Sequence, residues 1–319
     1  MTDSPLPYVG RFAPSPTGPL HFGSLVAAVG SFLDARARGG RWLLRIEDVD
    51  APRTVPGAAR DIVATLQRFG FEWDGEPVWQ SDRLDAYAAA FERLRITGAV
   101  FACACTRREM ADSALARDGS RLYPGTCRGG LPPGRSAHAW RVRVEGRIEF
   151  DDRIQGRQQE DLASEVGDFV VLRGDGQFAY QLAVVVDDAD AGVTDVVRGA
   201  DLLGSTGRQI HLQHLLGHPT PTYAHLPVVV NTDGEKLSKQ TLAAPVDTLP
   251  PPRALLAALA FLGQNPPAAL GGASLSELWA WAIAHWATAR VPRRLQAEVP
   301  DDLAGSAHCH PATTTGPRT

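Results

Sequence analysis

The chain has 319 residues, 44% of them hydrophobic, with 32 basic and 36 acidic side chains and a net charge of −4, which excludes bulk disorder and leaves room for one large domain or two modest ones. A pI of about 6.1 excludes histone-like attraction to nucleic acid, so any nucleic acid must be held by local patches. No run approaches the roughly 20 apolar residues of a membrane span, and Met1-Thr2-Asp3-Ser4-Pro5 lacks the regions of a signal peptide, so a soluble cytoplasmic protein without a membrane partner is expected.

Tyr8–Phe12 reads as a strand running into a loop with Pro14, Pro16, Gly18 and Pro19, and Leu25, Val29, Phe32 and Leu33 then follow at helical spacing. Trp42–Ile46 reads as a second strand, ending in the acidic cluster Glu47, Asp48 and Asp50. Helical stretches follow over about 57–70 and 82–97, and the strand–helix–strand order predicts a parallel α/β unit. From Val100 to about Asp190 the texture changes to cysteines, a Gly/Pro-rich stretch and alternating strands such as Trp140–Val144, which reads as a partly β insertion. The first pattern resumes with a strand at Val193–Val197, a helix at about 205–216 and a strand at Leu226–Asn231. Pro250-Pro251-Pro252 introduces helices over about 253–263 and 274–288, and a frayed tail rich in Pro and Thr begins near Val299.

Neither a G-x-x-x-x-G-K-[ST] loop nor a G-x-G-x-x-G after a strand occurs, which argues against a P-loop enzyme and a standard dinucleotide-binding enzyme. At His21-Phe22-Gly23-Ser24 a loop enters a helix. A helix N-terminus offers free N–H groups to phosphate, His21 can donate to a phosphoryl oxygen, and Gly23 lets a purine approach the backbone. Taken alone, the pattern is more often a capping loop. Only two of the basic residues are lysines, Lys236 and Lys239, in Lys236-Leu237-Ser238-Lys239 after the turn Asn231–Gly234. Codon bias explains their scarcity but not their clustering. Two ammonium groups and a hydroxyl suit a phosphate whose charge moves during reaction; the bland alternative is a solvated loop.

Four cysteines, Cys103, Cys105, Cys127 and Cys309, are too few and too uneven for a disulfide framework. Three of them cluster, which in a reducing compartment suggests a metal before a disulfide. Cys309, between His308 and His310 on the tail, is read as no site.

Arg11-Phe12-Ala13-Pro14-Ser15-Pro16-Thr17-Gly18 followed by His21-Phe22-Gly23-Ser24 closely resembles the opening of glutamyl-tRNA synthetases, class I enzymes. Leu44–Asp50, Val197–Leu203, Thr206–Ile210 and Lys236–Lys239 resemble the same family in the same order. Two departures stand out: the first signature lacks the family's second histidine, and leucine replaces methionine in the second. Only residues 241–319 follow the lysine motif, where the family has a large anticodon-binding region, so the chain resembles the family's truncated paralogues.

The resemblance implies a ligase that activates L-glutamate with ATP and Mg²⁺ without tRNA, then attaches glutamate to the queuosine base in the anticodon of tRNA(Asp). It implies an α/β fold: a Rossmann-like catalytic domain over 1–99 and 191–241, an inserted zinc-bearing α+β subdomain over 100–190, a short helical region over 242–298, and a disordered tail over 299–319. His21, Gly23, Lys236, Ser238 and Lys239 are expected to hold ATP, with His21 and Gly23 at its phosphates and adenine and the lysines at the leaving phosphates. Arg11, Phe12, Ala13, Pro14, Ser15, Glu47, Tyr180 and Arg198 are expected around glutamate. There Arg11 and Arg198 suit the side-chain carboxylate, Glu47 the ammonium, and Tyr180 a pocket wall. Structural ion pairs are the alternative for the arginines and Glu47. The same resemblance makes Cys103, Cys105, Tyr123 and Cys127 a structural zinc site, with His138 or water as alternatives for the fourth ligand. A monomer is expected. The transfer nucleophile belongs to the RNA, so no general base need be present, and Arg290, Arg293 and Arg294 are candidate phosphate contacts. Two other readings remain: a shortened enzyme charging the 3′ end of tRNA(Glu), and an inactive RNA-binding paralogue.

Overall fold

The structure is a computed structural model that describes residues 7–106, 108–111, 113–116, 119, 121–231 and 245–299. In chain order its elements are β1 (Val9–Phe12), α1 (Phe22–Arg36), β2 (Arg41–Ile46), α2 (Ala58–Arg68), β3 (Val78–Trp79), α3 (Leu84–Ile96) and β4 (Val100–Cys103). Next come β5 (Ala139–Val142), β6 (Arg147–Asp152), β7 (Gly156–Asp161), β8 (Val170–Leu172), α4 (Tyr180–Asp190), β9 (Asp195–Gly199), α5 (Thr206–Leu216) and β10 (Thr222–Leu226). The last are β11 (Val228–Val230), α6 (Pro251–Phe261), α7 (Leu275–His285) and β12 (Gln296–Glu298).

Strands β1, β2 and β3 pair in parallel, as the alternation of apolar strands and helices requires. A second sheet runs β7-β6-β10-β9, with β9, β10 and β6 parallel and β6–β7 a hairpin closed at Asp152 and Gly156. The two sheets are sewn together at Val9, which donates to the Thr194 hydroxyl (2.9 Å) and accepts from the Thr194 N–H (3.0 Å). An antiparallel sheet, β4-β5-β8, shares no hydrogen-bonded ladder with them.

Apolar burial divides between two clusters. One joins α1 and β2 to α6 and α7 around the rings of Phe12, Phe32, Trp42, Phe71 and Trp279, whose neighbouring centroids lie 4.9–6.2 Å apart. Such aromatic pairs contribute about 0.5–1.5 kcal/mol each beyond their buried area. Within it Gly30 lets α1 lie against β10: a Cβ there would fall 2.5 Å from Leu226 Cδ1. The second cluster joins α3, α4 and α5 to β9 and β10 through Tyr87, Leu182, Val185, Val196, Ile210 and Tyr223. Segment 100–190 therefore feeds both the antiparallel sheet and, through β6, β7 and α4, the layers around the parallel strands.

Several element bounds differ from the sequence reading. The strand expected at Val193–Val197 is Asp195–Gly199, because the Val193 N–H closes the end of α4 on Asp188 O (2.9 Å). The strand expected at Leu226–Asn231 is split: Pro227 has no N–H to continue the ladder, so Leu226 ends β10 on β9 while Val228–Val230 pairs with β12. Trp140–Val144 shortens to Ala139–Val142, since the Val144 N–H goes to the Asp168 carboxylate (2.9 Å). The last helix stops at His285, where Trp286 turns extended and its indole reaches Asp34 (3.2 Å). Helix α4 and strand β10 were not anticipated. From residue 300 on, the expected tail and Cys309 lie outside the described residues.

Candidate active site

The cleft that gathers the expected residues has a volume of about 810 Å³ and opens where β1, β2 and β9 end and α1 and α4 begin. Open α/β sheets place ligands at these carboxyl ends. Arg11, Phe12, Ala13, Pro14, Ser15, His21, Gly23, Glu47, Tyr180 and Arg198 all line it, although their positions span 188 residue numbers of the chain, from 11 to 198. Lys236, Ser238 and Lys239 lie outside the described residues. The chain on either side of them is nonetheless at the cleft: Val228 and Val229 line it, and Pro245 bridges to His21 while the Val246 N–H donates to Leu20 O (2.8 Å).

His21 is the N-cap of α1, and its ring accepts from the Ser24 N–H (3.2 Å). No acidic side chain occupies the first turn, so its free N–H groups and positive dipole end are available to an anion.

One side of the cleft is built from ion pairs. Arg11 donates through Nε and Nη2 to both oxygens of Asp188, at 3.1–3.3 Å. Arg45 donates to Asp188 (2.6 Å) and to Glu47 (3.2 Å), and its guanidinium lies 3.7 Å from Asp187. Asp187 in turn accepts from Gln80, Arg83 and Tyr87. Burial alone would raise the Asp188 carboxyl, but Arg11 and Arg45 bring it down to about 2. For Glu47 burial wins and its carboxyl is raised, with Arg45 and Arg11 pulling against it. Burial raises the Tyr180 hydroxyl, and Glu47 adds to that effect. The acidic cluster after β2 thus divides its work: Asp48 accepts from Ser81, Asp50 pairs with Arg53 and Arg173, and only Glu47 and Asp50 reach a cavity wall.

On the other side the arginine is held by uncharged partners. Arg198 is buried on β9, donating from Nε to His225 Nε2 (3.1 Å) and from Nη2 to Thr206 Oγ1 (2.9 Å). Its Nη1 is buried with no hydrogen-bond partner among the described residues. His225 Nδ1 sits 2.6 Å from Asp152 Oδ2. Burial pushes His225 down to about 4, so at neutral pH the ring is uncharged. Sequence reasoning missed Asp152, Asp188 and His225, and placed Thr206 in a family motif without a role. A doublet, Asp187-Asp188, after the apolar run Val184–Val186 was one available signal, and a histidine between apolar residues in Ala224-His225-Leu226 was another.

A second cluster lies beside β4. Cys103 and Cys127 are buried and Cys105 half-buried, with their Sγ atoms all within 4.8 Å of one another. The Tyr123 Oη accepts from the Cys127 N–H (2.7 Å) and lies 3.5 Å from Cys103 Sγ and 3.7 Å from Cys105 Sγ. Burial works against ionising Cys103, but hydrogen bonds from Tyr123 and the Cys105 backbone, with Arg141 alongside, lower its thiol. Three sulfurs and one adjacent oxygen suit a tetrahedral thiophilic ion. The ligand-atom cluster contains no histidine among the described residues; His138 meets it only through its backbone N–H on Cys103 O (2.7 Å).

Comparison with known proteins places this geometry. Residues 8–269 match the family described as tRNA synthetases class I (E and Q), catalytic domain. A glutamyl-Q tRNA(Asp) synthetase of Aromatoleum aromaticum is 80% identical over 98% of this chain and 99% of its own. One from Dechloromonas aromatica is 61% identical over 90% of this chain and 97% of its own. Among solved structures, a glutamate-tRNA synthetase from Elizabethkingia anophelis is similar with a TM-score of 0.76 at 25% identity, covering 93% of this chain and 69% of that one.

Proposed function

Because the chain belongs to the class I tRNA synthetase family of the glutamate and glutamine enzymes, we infer that it acts as a glutamyl-Q tRNA(Asp) synthetase. It is a ligase that activates L-glutamate with ATP and transfers it to the queuosine of tRNA(Asp). What carries this reading is the charge pattern of the cleft: Arg198 with a free amino group and Arg11 on the walls, with Glu47 and the start of α1 lining the same space. Glutamate offers two carboxylates and an ammonium to match.

In this reading the side-chain carboxylate meets Arg198 and Arg11, the ammonium meets Glu47, and Tyr180 with the Phe12–Ser15 loop closes the wall. The α-carboxylate oxygen attacks the α-phosphorus of ATP in line; a P–O bond forms, the bond to the β-phosphate breaks, and pyrophosphate leaves. No protein nucleophile is required. His21 and the N–H groups of α1 hold the phosphates, Gly23 admits the adenine, and charge on the leaving phosphates is assigned to Lys236, Ser238 and Lys239. Mg²⁺ bound with ATP would supply further charge stabilisation there. Activation proceeds before tRNA binds, as a monomer in the cytoplasm. No helix among the described residues is long and apolar enough to cross a membrane.

Cys103, Cys105, Cys127 and the Tyr123 oxygen would hold one structural Zn²⁺, which would supply folding energy to the β4-β5-β8 module of the 100–190 insertion. Loss of metal should be accompanied by loss of that module's structure.

The reaction is tested with ATP and labelled glutamate on tRNA(Asp) carrying or lacking queuosine. Label that requires queuosine and survives 3′-end trimming is expected; label confined to the 3′ end regardless of queuosine would overturn the reading in favour of 3′ charging. Failure of tRNA-free, glutamate-dependent ATP–pyrophosphate exchange would favour an inactive RNA-binding relative.

A further inference from the structure

Arg198 differs from the other arginines around the cleft in what holds it. Its β9 position is opposite His225 on β10, and β10 is flanked on its other side by β6, which ends in Asp152. Three adjacent strands thus place an acid, an imidazole and a guanidinium in a row, all of them buried. Asp152 Oδ1 accepts three backbone N–H groups, from Ile154 (3.0 Å), Gln155 (2.8 Å) and His225 (3.2 Å). Its Oδ2 is left for His225 Nδ1 at 2.6 Å. An ionised carboxylate can only accept, so Nδ1 carries the ring proton and Nε2 presents a lone pair. That lone pair receives the Arg198 Nε–H. No carboxylate forms an ion pair with Arg198 among the described residues, whereas Arg11 pairs with Asp188 and Arg45 with Asp188, Glu47 and Asp187.

We propose that Asp152 and His225 are positioning residues for substrate selection: they fix Arg198 through a neutral acceptor, so that its charge and its Nη1 stay reserved for the side-chain carboxylate of glutamate. The inference rests on reading this cleft as the glutamate site. A carboxylate in place of His225 would orient the guanidinium equally well but would neutralise it. With a neutral holder, an anionic substrate completes a buried charge that a carboxamide leaves uncompensated. Discrimination between glutamate and glutamine then follows from the holder as well as from the arginine.

The arrangement makes Asp152→Asn informative. Three backbone donors at Oδ1 keep the amide oxygen there, so the –NH₂ replaces Oδ2 and points at Nδ1. The ring must then carry its proton on Nε2, donor against the donor of Arg198. The experiment is tRNA-free ATP–pyrophosphate exchange on the wild type, Asp152→Asn, His225→Gln and His225→Leu, with melting temperature alongside. Glutamine places an acceptor near the position of Nε2; leucine fills the space without one. The Asn and Leu variants should raise KM for glutamate about tenfold or more, leave KM for ATP within about twofold, and narrow the preference over glutamine, while the Gln variant recovers most of the loss. Unchanged KM for glutamate in Asp152→Asn, or a Gln variant no better than Leu, would overturn the proposal. If the wild type shows no glutamate-dependent exchange, the reading of the site fails instead. The relay is then decided by ¹⁵N NMR of His225: an Nδ1–H tautomer in the wild type that moves to Nε2–H in Asp152→Asn supports it, and Nε2–H in the wild type refutes it.

Discussion

The two walls of the cleft hold their arginines in opposite ways. On the β1–β2–α4 side, Arg11 and Arg45 are neutralised inside the protein by Asp188, with Asp187 alongside. On the β6–β10–β9 side, Arg198 rests on an imidazole and a hydroxyl and keeps its charge. The first wall spends its electrostatics on holding strands and helix together; the second withholds it for a ligand. Stability and substrate binding should therefore separate when the two walls are perturbed.

The largest effect is expected from Asp188→Ala, which strands the buried Arg11 guanidinium and takes from Arg45 one of its three carboxylate neighbours. It should cost about 3–5 kcal/mol in equilibrium urea unfolding, and a loss below 1 kcal/mol would show that this wall is not a scaffold. Acid should then attack the walls in sequence. His225 is held near 4 in the folded state against 6.5 in a free chain, so the unfolded state binds the extra proton between those values. Its contribution is complete above pH 6.5 and lost as pH falls toward 4, amounting to about 3 kcal/mol. His211 and His218 shift in the same direction. Asp188, held down to about 2, gives up its share only below pH 4. Unfolding titrated against pH, with His225→Gln as the control, should show the early loss in the wild type and a flatter slope in the variant.

Arg198→Gln reverses the pattern of Asp188→Ala. Stability should change by about 1 kcal/mol while KM for glutamate rises about a hundredfold, because no ion pair is broken but the substrate's partner is gone. Equal losses in both measurements would erase the distinction between the walls. The smallest change is Lys239→Arg, expected to keep the fold and KM for glutamate while lowering the exchange rate about tenfold. A near-normal rate would remove the case for lysine at that position.

Local signals fixed much of this molecule in advance. Helical spacing of apolar residues and the flanking turn residues located α1, α2, α3, α5, α6 and α7 to within a few residues. Motif residues Arg11, His21, Gly23, Glu47, Tyr180 and Arg198 converge because each sits at a strand end or helix start, where the chain's direction is set by its neighbours. What escaped has a common cause. Asp152, Asp188 and His225 act through partners 27 to 177 positions away, and a buried charge in a strand or helix looks locally like a mistake in an apolar pattern. Strand β10 was hidden by Pro227, which ends one ladder while the apolar run continues into another. Helix α4 was hidden by its β-branched run Val184–Val186, which suits a strand and falls in a segment whose neighbours are strands.

Asp34, fully buried in α1, accepts from Tyr8 (2.6 Å), Arg153, Trp286 (3.2 Å) and Thr288 (2.7 Å). One carboxylate thus collects groups from the beginning, middle and end of the described chain. For a polypeptide emerging from a ribosome this sets a timetable. The helix that carries Asp34 is made early, yet Trp286 and Thr288, two of its four partners, and the Trp279 ring that covers Phe32 arrive only after some 250 further residues. Nascent chains arrested before Trp279 should be as open to protease as unfolded ones, and the core that frames the cleft should close as a single late event instead of domain by domain.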